Sequence, residues 1–303
     1  MAIRGVYTKD GVIDWNAPKG SKGQLVKNFQ QHFNSSDYVV TGGKLVCDGI
    51  FGSKTAGAVQ AVDGGDGSSF NFSTMVQVGM NPMWIVDVND WISNIDFAAL
   101  VSVGVRGCYY KMSEGRDVQA DKTDRLKEAE DVGLLLGAYH YGRSDLHTKR
   151  AFTAPVKERN NFESAKAAAG VKWSLNDAYD LEHGTKTDKV HNITYFHTFA
   201  DGDVFDLYTT GPAFSRFIPA NSREPLDQNH NGNLWWAEYL REAKSGGPQK
   251  IPDSMPECTI WQMTSKFYVE GVTKWDGTPA GIDLNLAWGD YTTQEKRRCT
   301  VDV

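Results

Sequence analysis

Beyond about residue 80, short and continuous apolar runs alternate with segments of helical periodicity, and this alternation constrains the fold more than any other feature. Buried parallel strands appear as continuous apolar runs because helices cover both faces of their sheet. We predict eight strands, at residues 83–88, 103–110, 134–141, 178–181, 206–209, 234–239, 259–263 and 282–284. The fold class is therefore α/β, and a β/α (TIM-like) barrel is the first choice for eight such strands.

A smaller helical unit precedes these strands. Its first helix is predicted by an apolar stripe at helical spacing, formed by Leu25, Val26, Phe29 and Phe33. Ser53 is a candidate N-cap for a further helix. The buried side of that further helix is expected to carry Ala56, Val59 and Val62.

The polar Gly/Ser run at residues 63–69 is typical of a flexible linker. We therefore divide the chain into a small three-helix domain (1–64), a linker (65–81) and the barrel domain (82–303). Few contacts are expected to cross the linker.

Charge and hydropathy exclude several classes of protein. With 32 basic and 38 acidic residues the net charge is −6, which argues against binding nucleic acid through its phosphates. No apolar run approaches the ~18 residues of a membrane-spanning helix, and the first ten residues lack the apolar core of a secretory signal. We expect a monomer without nucleic-acid or membrane partners.

Cysteine spacing indicates reduced thiols. The four cysteines are far apart and include no C-x-x-C pair: Cys47, Cys108, Cys258 and Cys299. Cys108 lies in an apolar run, so we expect it to be buried. A bridge between Cys258 and Cys299 is the alternative.

Four carboxylates lie in the predicted strands: Asp87, Asp180, Glu182 and Asp283. Because side chains at i and i+2 of a strand point to the same face, Asp180 and Glu182 are expected to share one space. Two acids so close cannot both ionise easily, so one pKa is expected to rise and supply a general acid. Active sites of β/α barrels lie at the C-terminal ends of the strands, where we expect all four acids to meet.

Eight motifs surround these acids in a fixed order. They are D-V-N (87–89), I-D-F (95–97), Y-K-M-S-E-G (110–115), G-A-Y-H-Y (137–141), D-L-E (180–182), L-W-W-A-E-Y (234–239), W-Q (261–262) and D-L-N (283–285). In this order and spacing the chain resembles glycoside hydrolase family 25, the Chalaropsis-type lysozymes, which are N-acetylmuramidases that cut peptidoglycan. The family's D-V-S is D-V-N here, its K-A-T-E-G is K-M-S-E-G, and the segment 144–160 is longer and more basic.

The resemblance implies a role for each acid. Glu182 would be the general acid that protonates the leaving oxygen. Asp180 would orient the substrate N-acetyl group or stabilise the cationic transition state. Asp87 and Asp283 would complete an acidic floor that shifts the pKa of Glu182. No cofactor or metal is implied.

Aromatic residues of the same motifs would line a groove in which sugar rings stack, namely Tyr110, Tyr139, Trp236, Tyr239 and Trp261. Core packing is the alternative for aromatic residues of a barrel strand, and the motif positions favour binding most for Tyr139 and Trp236. His140 is expected to be structural.

The small N-terminal domain has its own resemblance. A helix with Val26 and Gln30 is followed by a loop and then by D-G-I-F-G (48–52) and Thr55. This order resembles the small peptidoglycan-binding domain over residues 20–62, although Ala61-Val62-Asp63 stands where that family closes with Phe-Gln. Peptidoglycan is therefore the expected ligand of this domain as well as the expected substrate.

One motif suggests a metal, and we reject it. Residues 227–238 match the calcium-loop pattern D-x-[DN]-x-[DN]-G-x₅-E. Only Asp227 and Glu238 are anionic, however, and Pro225 stands where an entering helix is needed. A polar loop that leads into a strand explains the pattern better.

Taken together, the sequence predicts a two-part cell-wall lytic enzyme that resembles a bacteriophage endolysin. This resemblance implies that the protein is held in the cytoplasm of a host bacterium until it is released. A bacterial autolysin or an injected antibacterial effector with the same activity is the alternative among enzymes. The alternative from another class is a catalytically inactive, wall-binding lectin on the same barrel.

Overall fold

The computed structural model describes residues 6–8, 11–13, 15–22, 24–118, 123–146, 153–186, 188–219, 232–239, 249–250 and 258–288. In chain order the described elements are β1 (Val6–Thr8), β2 (Gly11–Ile13), β3 (Trp15–Pro18), α1 (Gln24–Ser35), α2 (Ser53–Asp63), β4 (Ser69–Phe70), α3 (Phe72–Gln77), β5 (Met83–Val88), β6 (Ile92–Asn94), α4 (Phe97–Ser102), β7 (Val105–Glu114), β8 (Asp117–Val118), α5 (Thr123–Asp131), β9 (Leu135–Arg143), a 3₁₀ turn (Ser144–Leu146), α6 (Thr153–Ala169), β10 (Asp177–His183), α7 (Lys189–Ala200), β11 (Phe205–Thr210), α8 (Gly211–Phe217), β12 (Leu234–Ala237), β13 (Gln249–Lys250), β14 (Ile260–Phe267), β15 (Thr273–Lys274) and β16 (Ile282–Ala287).

Eight strands close into a barrel, which confirms the predicted α/β class. Their order is β12-β11-β10-β9-β7-β5-β16-β14, and pairing of β12 with β14 closes the ring. All eight predicted strands are in this ring. The helices α4 to α8 lie between successive strands from β5 to β12 along the chain. Side chains cap the beginning of some of these helices. At the start of α4, Asp96 accepts a hydrogen bond from the backbone N–H of Ala99 at 2.8 Å.

One strand departs from the all-parallel barrel that the sequence predicted. The strand β16 is antiparallel to both of its neighbours, β14 and β5. The connection from β14 to β16, residues 268–281, contains only the short strand β15 and turns. Without a crossover helix the chain cannot return to the other end of the barrel, so the next strand runs backwards. This reversal brings Asp283 at the start of β16 opposite Asp87 near the end of β5.

The barrel strands bury both faces, in two separate apolar layers. The barrel interior is filled by residues such as Ile85, Tyr109, Ala178, Trp235 and Ile260. The neighbouring residue in each strand points outward into the layer beneath the helices, which includes Val86, Tyr110, Tyr179, Trp236 and Trp261. The two-residue period of a strand therefore decides whether each side chain faces the barrel interior or the helices.

Residues 1–64 differ from the predicted three-helix domain, since the described part of this range holds two helices, α1 and α2, and three short strands. The side chain of Gln30 in α1 connects the two helices to the intervening loop. It donates to Asp48 Oδ1 and Thr55 Oγ1, each at 3.1 Å, and accepts from the Gly49 N–H at 2.9 Å. Gly49 has a φ of 71°, a conformation that favours glycine. The helix α2 is capped by Gly52 rather than by Ser53.

The segment predicted to be a flexible linker is structured. The strand β4 pairs with β3, and α3 follows it with a capping box between Asn71 and Thr74. Phe70 is fully buried and stacks on Phe29 with ring centroids 4.8 Å apart. Phe72 stacks on Trp84 of β5 at 5.0 Å. Single apolar residues beyond the Gly/Ser run thus anchor the segment to both neighbouring units, while the division at residues 64 and 82 stays a prediction.

Phe70 provides a test of this anchoring. We expect Phe70→Ala to lower the free energy of unfolding by about 3–5 kcal/mol, because the change leaves a cavity among packed aromatic rings. Urea unfolding followed by circular dichroism measures this loss. Val39→Ala is the control, because Val39 is 80% exposed. A Phe70→Ala protein as stable as the control would show that the segment contributes nothing to the fold.

The described helices and cysteines bear on two further expectations. Of the helices that the structure describes, none is long and apolar enough to cross a membrane. Cys108 is buried, as predicted, and so is Cys258. Cys299 lies outside the described residues, so the alternative bridge to Cys258 stays a prediction.

Candidate active site

A cavity of about 280 Å³ opens at the end of the barrel where the parallel strands terminate. Its walls are formed by Asp87, Asn89, Trp91, Lys111, Glu114, Tyr139, Tyr141, Asp180, Glu182, Tyr208, Trp235 and Asp283. The four carboxylates that the sequence singled out therefore meet in one cavity. Their separate surroundings give them different protonation states.

Asp87 lies among hydrogen-bond donors. Its Oδ2 accepts from the side-chain amides of Asn285 at 2.8 Å and Gln262 at 3.2 Å. These two amides are fixed in turn, because Trp235 Nε1 donates to Asn285 Oδ1 at 2.7 Å and the Tyr208 hydroxyl donates to Gln262 Oε1 at 2.9 Å. Burial raises the pKa of Asp87, and the two amide donors oppose that rise.

Asp283 shares a proton with Asp87. Burial raises the pKa of Asp283, and the adjacent charge of Asp87 raises it further, as does a hydrogen bond between the two carboxyls. The amide donors favour the charged form of Asp87 alone. The shared proton therefore lies on Asp283, and Asp87 is the anion of the pair.

Asp180 lies deep in the cavity, on the same face of β10 as Glu182. Its side chain is buried, and among the described residues no group donates a hydrogen bond to its Oδ1. Burial raises the pKa of Asp180 well above its usual value, and the charges of Glu182 and Asp87 add to this rise. Its surroundings therefore favour the neutral form of Asp180.

Glu182 lies two residues further along β10 and is half-buried. Burial raises the pKa of Glu182, whereas His183, a hydrogen bond from Tyr141 and the charge of Lys111 act in the opposite direction. The sequence spacing pointed to the charge of Asp180 as the cause of this rise. In the structure burial is the main cause of the rise, and the repulsion between the two acids appears instead in the raised pKa of Asp180.

Lys111 and Glu114 line one edge of the cavity and belong to a chain of ion pairs. Lys111 Nζ lies 2.5 Å from Glu114 Oε2, and Arg143 Nη1 lies 3.1 Å from Glu114 Oε1. Arg143 also pairs with Asp145 at 3.0 Å. A register shift between β7 and β9 at Lys111 and Ser113 turns this edge towards the cavity. The K-M-S-E-G motif thus contributes two residues to the cavity wall, Lys111 and Glu114.

The predicted aromatic residues divide into two groups. Tyr139 lines the cavity. Tyr239, two residues beyond the end of β12, is half exposed. Burial raises the pKa of Tyr239, and the charges of Asp283 and Asp87 raise it further. Tyr110 and Trp261 do not line the groove, because both are fully buried in the outer layer. There the Tyr110 hydroxyl accepts a hydrogen bond from Arg125.

Trp236, like Tyr110 and Trp261, does not line the cavity as predicted. It points outward, where it packs edge-on against Phe214 at 5.5 Å. The cavity instead receives its neighbour Trp235, together with Tyr141, Tyr208 and Trp91. Tyr141 could have been found from the sequence, because it shares a strand face with Tyr139 two residues earlier. None of the four predicted acids lies on β12, so the sequence carried no signal that Trp235 rather than Trp236 faces the cavity.

His140 is buried on the outer side of the barrel, in line with the structural role predicted for it. Its Nδ1 lies 2.8 Å from Ser113 Oγ and its Nε2 lies 3.0 Å from Glu158 Oε2. Glu158 also accepts a hydrogen bond from the Tyr195 hydroxyl at 2.6 Å. This cluster joins β7 and β9 to α6 and α7 and has no opening to the cavity.

The rejected calcium loop lies partly outside the described residues, which begin again at residue 232. Within the described part, the Glu238 carboxylate accepts a hydrogen bond from Trp236 Nε1 at 3.1 Å. No group of three or more His, Cys, Asp or Glu residues is arranged to hold a metal ion in the described part of the chain. The absence of calcium stays a prediction.

Acids gathered at one end of a closed eight-stranded barrel, between aromatic walls, define the class of barrel glycoside hydrolases. The family described as "Glycosyl hydrolases family 25" matches residues 86–272 of the 303. The chain belongs to glycosyl hydrolase family 25.

Individual relatives agree with this family. Lysozyme M1 of Streptomyces globisporus is 24% identical over 207 residues, which are 62% of this chain and 64% of the relative's length. The spore cortex lytic enzyme SleM of Clostridium perfringens has a TM-score of 0.53 at 19% identity, over 69% of this chain and 67% of its own. The catalytic domain of endolysin ply40, from a Listeria monocytogenes bacteriophage, has a TM-score of 0.52 at 18% identity, over 71% of this chain and 97% of its own. At these identities the two structures support the fold alone.

Proposed function

We propose that the protein hydrolyses the β-1,4 glycosidic bond between N-acetylmuramic acid and N-acetylglucosamine in peptidoglycan. The observation that carries this proposal is the contrast between two acids of one cavity. Burial raises the pKa of both Glu182 and Asp87, the latter to about 6, but Asp87 also accepts hydrogen bonds from two side-chain amides, which favour its charged form. Glycoside hydrolysis needs one acid that gives a proton and one carboxylate that stabilises or attacks the cationic sugar. Membership of family 25 supports peptidoglycan as the substrate.

In this proposal Glu182 protonates the leaving oxygen as the glycosidic bond breaks. Burial keeps it protonated to a higher pH than an exposed glutamate, so it can act as an acid. As positive charge develops on the sugar ring, the Asp87 carboxylate stabilises that charge electrostatically. Asp180 lies on the same strand face as Glu182 and would orient the N-acetyl group of the substrate through its buried carboxyl.

The cavity walls suit sugar rings. Tyr139, Tyr208 and Trp235 present aromatic surface beside the acids, and the apolar face of a pyranose packs on such rings. Of these three, Tyr139 was among the aromatic residues that the sequence predicted.

We propose in addition that residues 1–64 bind peptidoglycan. The support is the resemblance of residues 20–62, whose motif residues Gln30, Asp48 and Thr55 hydrogen-bond to one another. A wall-binding unit joined to a catalytic one raises the effective concentration of the enzyme at an insoluble substrate. This organisation supports the finer proposal of a phage endolysin that acts after release from the host cytoplasm. An autolysin or an antibacterial effector with the same activity is the alternative.

The identity of the new reducing end tests the proposed reaction. Purified peptidoglycan is digested, the products are reduced with borohydride, and their sugars are identified by mass spectrometry. We expect reduced N-acetylmuramic acid. Reduced N-acetylglucosamine would contradict the bond that we propose. Binding to the wall without any release of reducing ends would favour the inactive lectin.

A further inference from the structure

Two tryptophans on the described surface are strongly exposed. Trp91 is 77% exposed and Trp275 is 76% exposed, whereas the other tryptophans with described side chains are buried or half-buried. Exposure of a large apolar ring to water is unfavourable, and neighbouring exposed rings mark a binding surface more often than isolated ones do.

The two tryptophans lie on neighbouring segments of the chain. The strands β6 and β15 form an antiparallel ribbon in which Lys274 pairs with Ile92. Trp275 directly follows Lys274 and Trp91 directly precedes Ile92, so both lie one residue beyond this pair. The indole Nε1 of Trp275 donates to the backbone carbonyl of Asp90 at 3.2 Å, which fixes this ring next to the segment that carries Trp91.

The ribbon holds Trp275 in a tight turn. The Gly277 N–H donates to the Lys274 carbonyl at 2.9 Å, and Gly277 has a φ of 76°, which favours glycine. The Asp276 carboxylate accepts from the Thr278 N–H at 2.9 Å. A ring that is already ordered before binding loses little conformational entropy when a ligand packs on it.

The surface that carries these two tryptophans is continuous with the active site, because Trp91 also lines the acidic cavity and lies four residues after Asp87. The cavity volume of about 280 Å³ is at the lower end of the ~300–1,000 Å³ that is typical of small-ligand sites. A polymeric substrate must therefore leave the cavity and cross the surface beside it.

We propose that Trp91 and Trp275 form an aromatic platform that binds a sugar ring of the glycan chain outside the acidic cavity. This inference rests on the proposed function for the glycan nature of the ligand, but not for the bond that is cut. The apolar face of the pyranose packs on the indoles, and its hydroxyls remain in water. The platform thereby favours long glycan chains over short ones.

Chain-length dependence tests the platform. Soluble glycan fragments of peptidoglycan, one short and one long, are digested by the full-length protein and by Trp275→Ala. We expect the ratio of kcat/KM on the long fragment to kcat/KM on the short one to fall roughly tenfold in the variant, which corresponds to about 1.4 kcal/mol. Trp275→Phe is expected to recover most of the ratio. Lys274→Ala is the control in the same ribbon and is expected to leave the ratio unchanged.

Three results would overturn the platform. The first is an unchanged ratio in Trp275→Ala, and the second is an equal fall in Lys274→Ala. The third is self-association of the wild type that Trp275→Ala abolishes in sedimentation, which would make a second copy of the chain the occupant. If the wild type cleaves neither fragment, the proposed function fails by itself. Binding of the same two fragments, followed by tryptophan fluorescence in the wild type and in Trp275→Ala, then tests the platform separately.

Discussion

Glu182→Gln is expected to lower the rate of peptidoglycan hydrolysis by roughly 10²–10⁴-fold, the size of a general-acid contribution. Glutamine keeps the shape of the side chain and can donate a hydrogen bond, but it cannot deliver a proton to the leaving oxygen. The position of Glu182 at the cavity mouth, with a pKa that burial raises, suits this role. The measurement is the release of reducing ends from purified peptidoglycan by equal concentrations of wild type and variant.

Controls separate loss of catalysis from loss of structure. Glu128→Gln makes the same chemical change on the exposed side of α5 and is expected to keep the wild-type rate. The far-ultraviolet circular dichroism of Glu182→Gln is expected to match the wild type, and its binding to intact sacculi is expected to persist if residues 1–64 carry that binding. Near-equal hydrolysis rates for wild type and Glu182→Gln would remove Glu182 from the mechanism.

The barrel was predictable because each strand is specified locally. An apolar run such as residues 83–88 must be buried on both faces, whichever strands lie beside it. The direction of β16 was not predictable in this way, because it depends on the absence of a helix between residues 268 and 281. A continuous apolar run carries no information about the direction of its strand.

The site was predicted unevenly. The positions of the acids followed from their motifs and from strand parity, since Asp180 and Glu182 differ by two residues. The aromatic residues were taken from motifs alone. None of the four acids lies on β12 to fix its inward face, so Trp236 was chosen where Trp235 faces the cavity. The platform residue Trp275 lies in a turn outside the eight motifs, and its proximity to Trp91 depends on the pairing of β6 with β15.

The linker shows a second limit of prediction from sequence. Its Gly/Ser composition correctly marks a polar turn, yet Phe70 and Phe72 directly after it are anchors. Whether an isolated aromatic residue packs depends on a partner distant in sequence, here Phe29 or Trp84. Composition averaged over a short window does not report such a partner.

Asp180→Asn is expected to have opposite effects on stability and on activity. Burial raises the folded-state pKa of Asp180 above its unfolded value, so its contribution to stability is present below the unfolded pKa of about 3.8 and is lost as pH rises through the folded pKa. Asparagine resembles the neutral acid and carries no such penalty. We therefore expect the Tm of the variant to equal that of wild type near pH 4. Between pH 7 and 8 it should exceed the wild-type Tm by at least about 2 °C, the shift that 1 kcal/mol produces in a chain of this size.

Activity is expected to fall in the same variant by roughly 10²–10³-fold, the range found for loss of one preorganised electrostatic contact. Asparagine can orient an N-acetyl group through a hydrogen bond, but it cannot become an anion as positive charge develops on the sugar. Thermal unfolding and reducing-end release, each measured from pH 4 to pH 8, test both halves, with Asp37→Asn as an exposed control expected to change neither. A stabilised variant with full activity would show that Asp180 acts only as a neutral hydrogen-bonding group. A destabilised variant at pH 8 would show instead that the fold needs the Asp180 anion, against the protonation state that its burial implies.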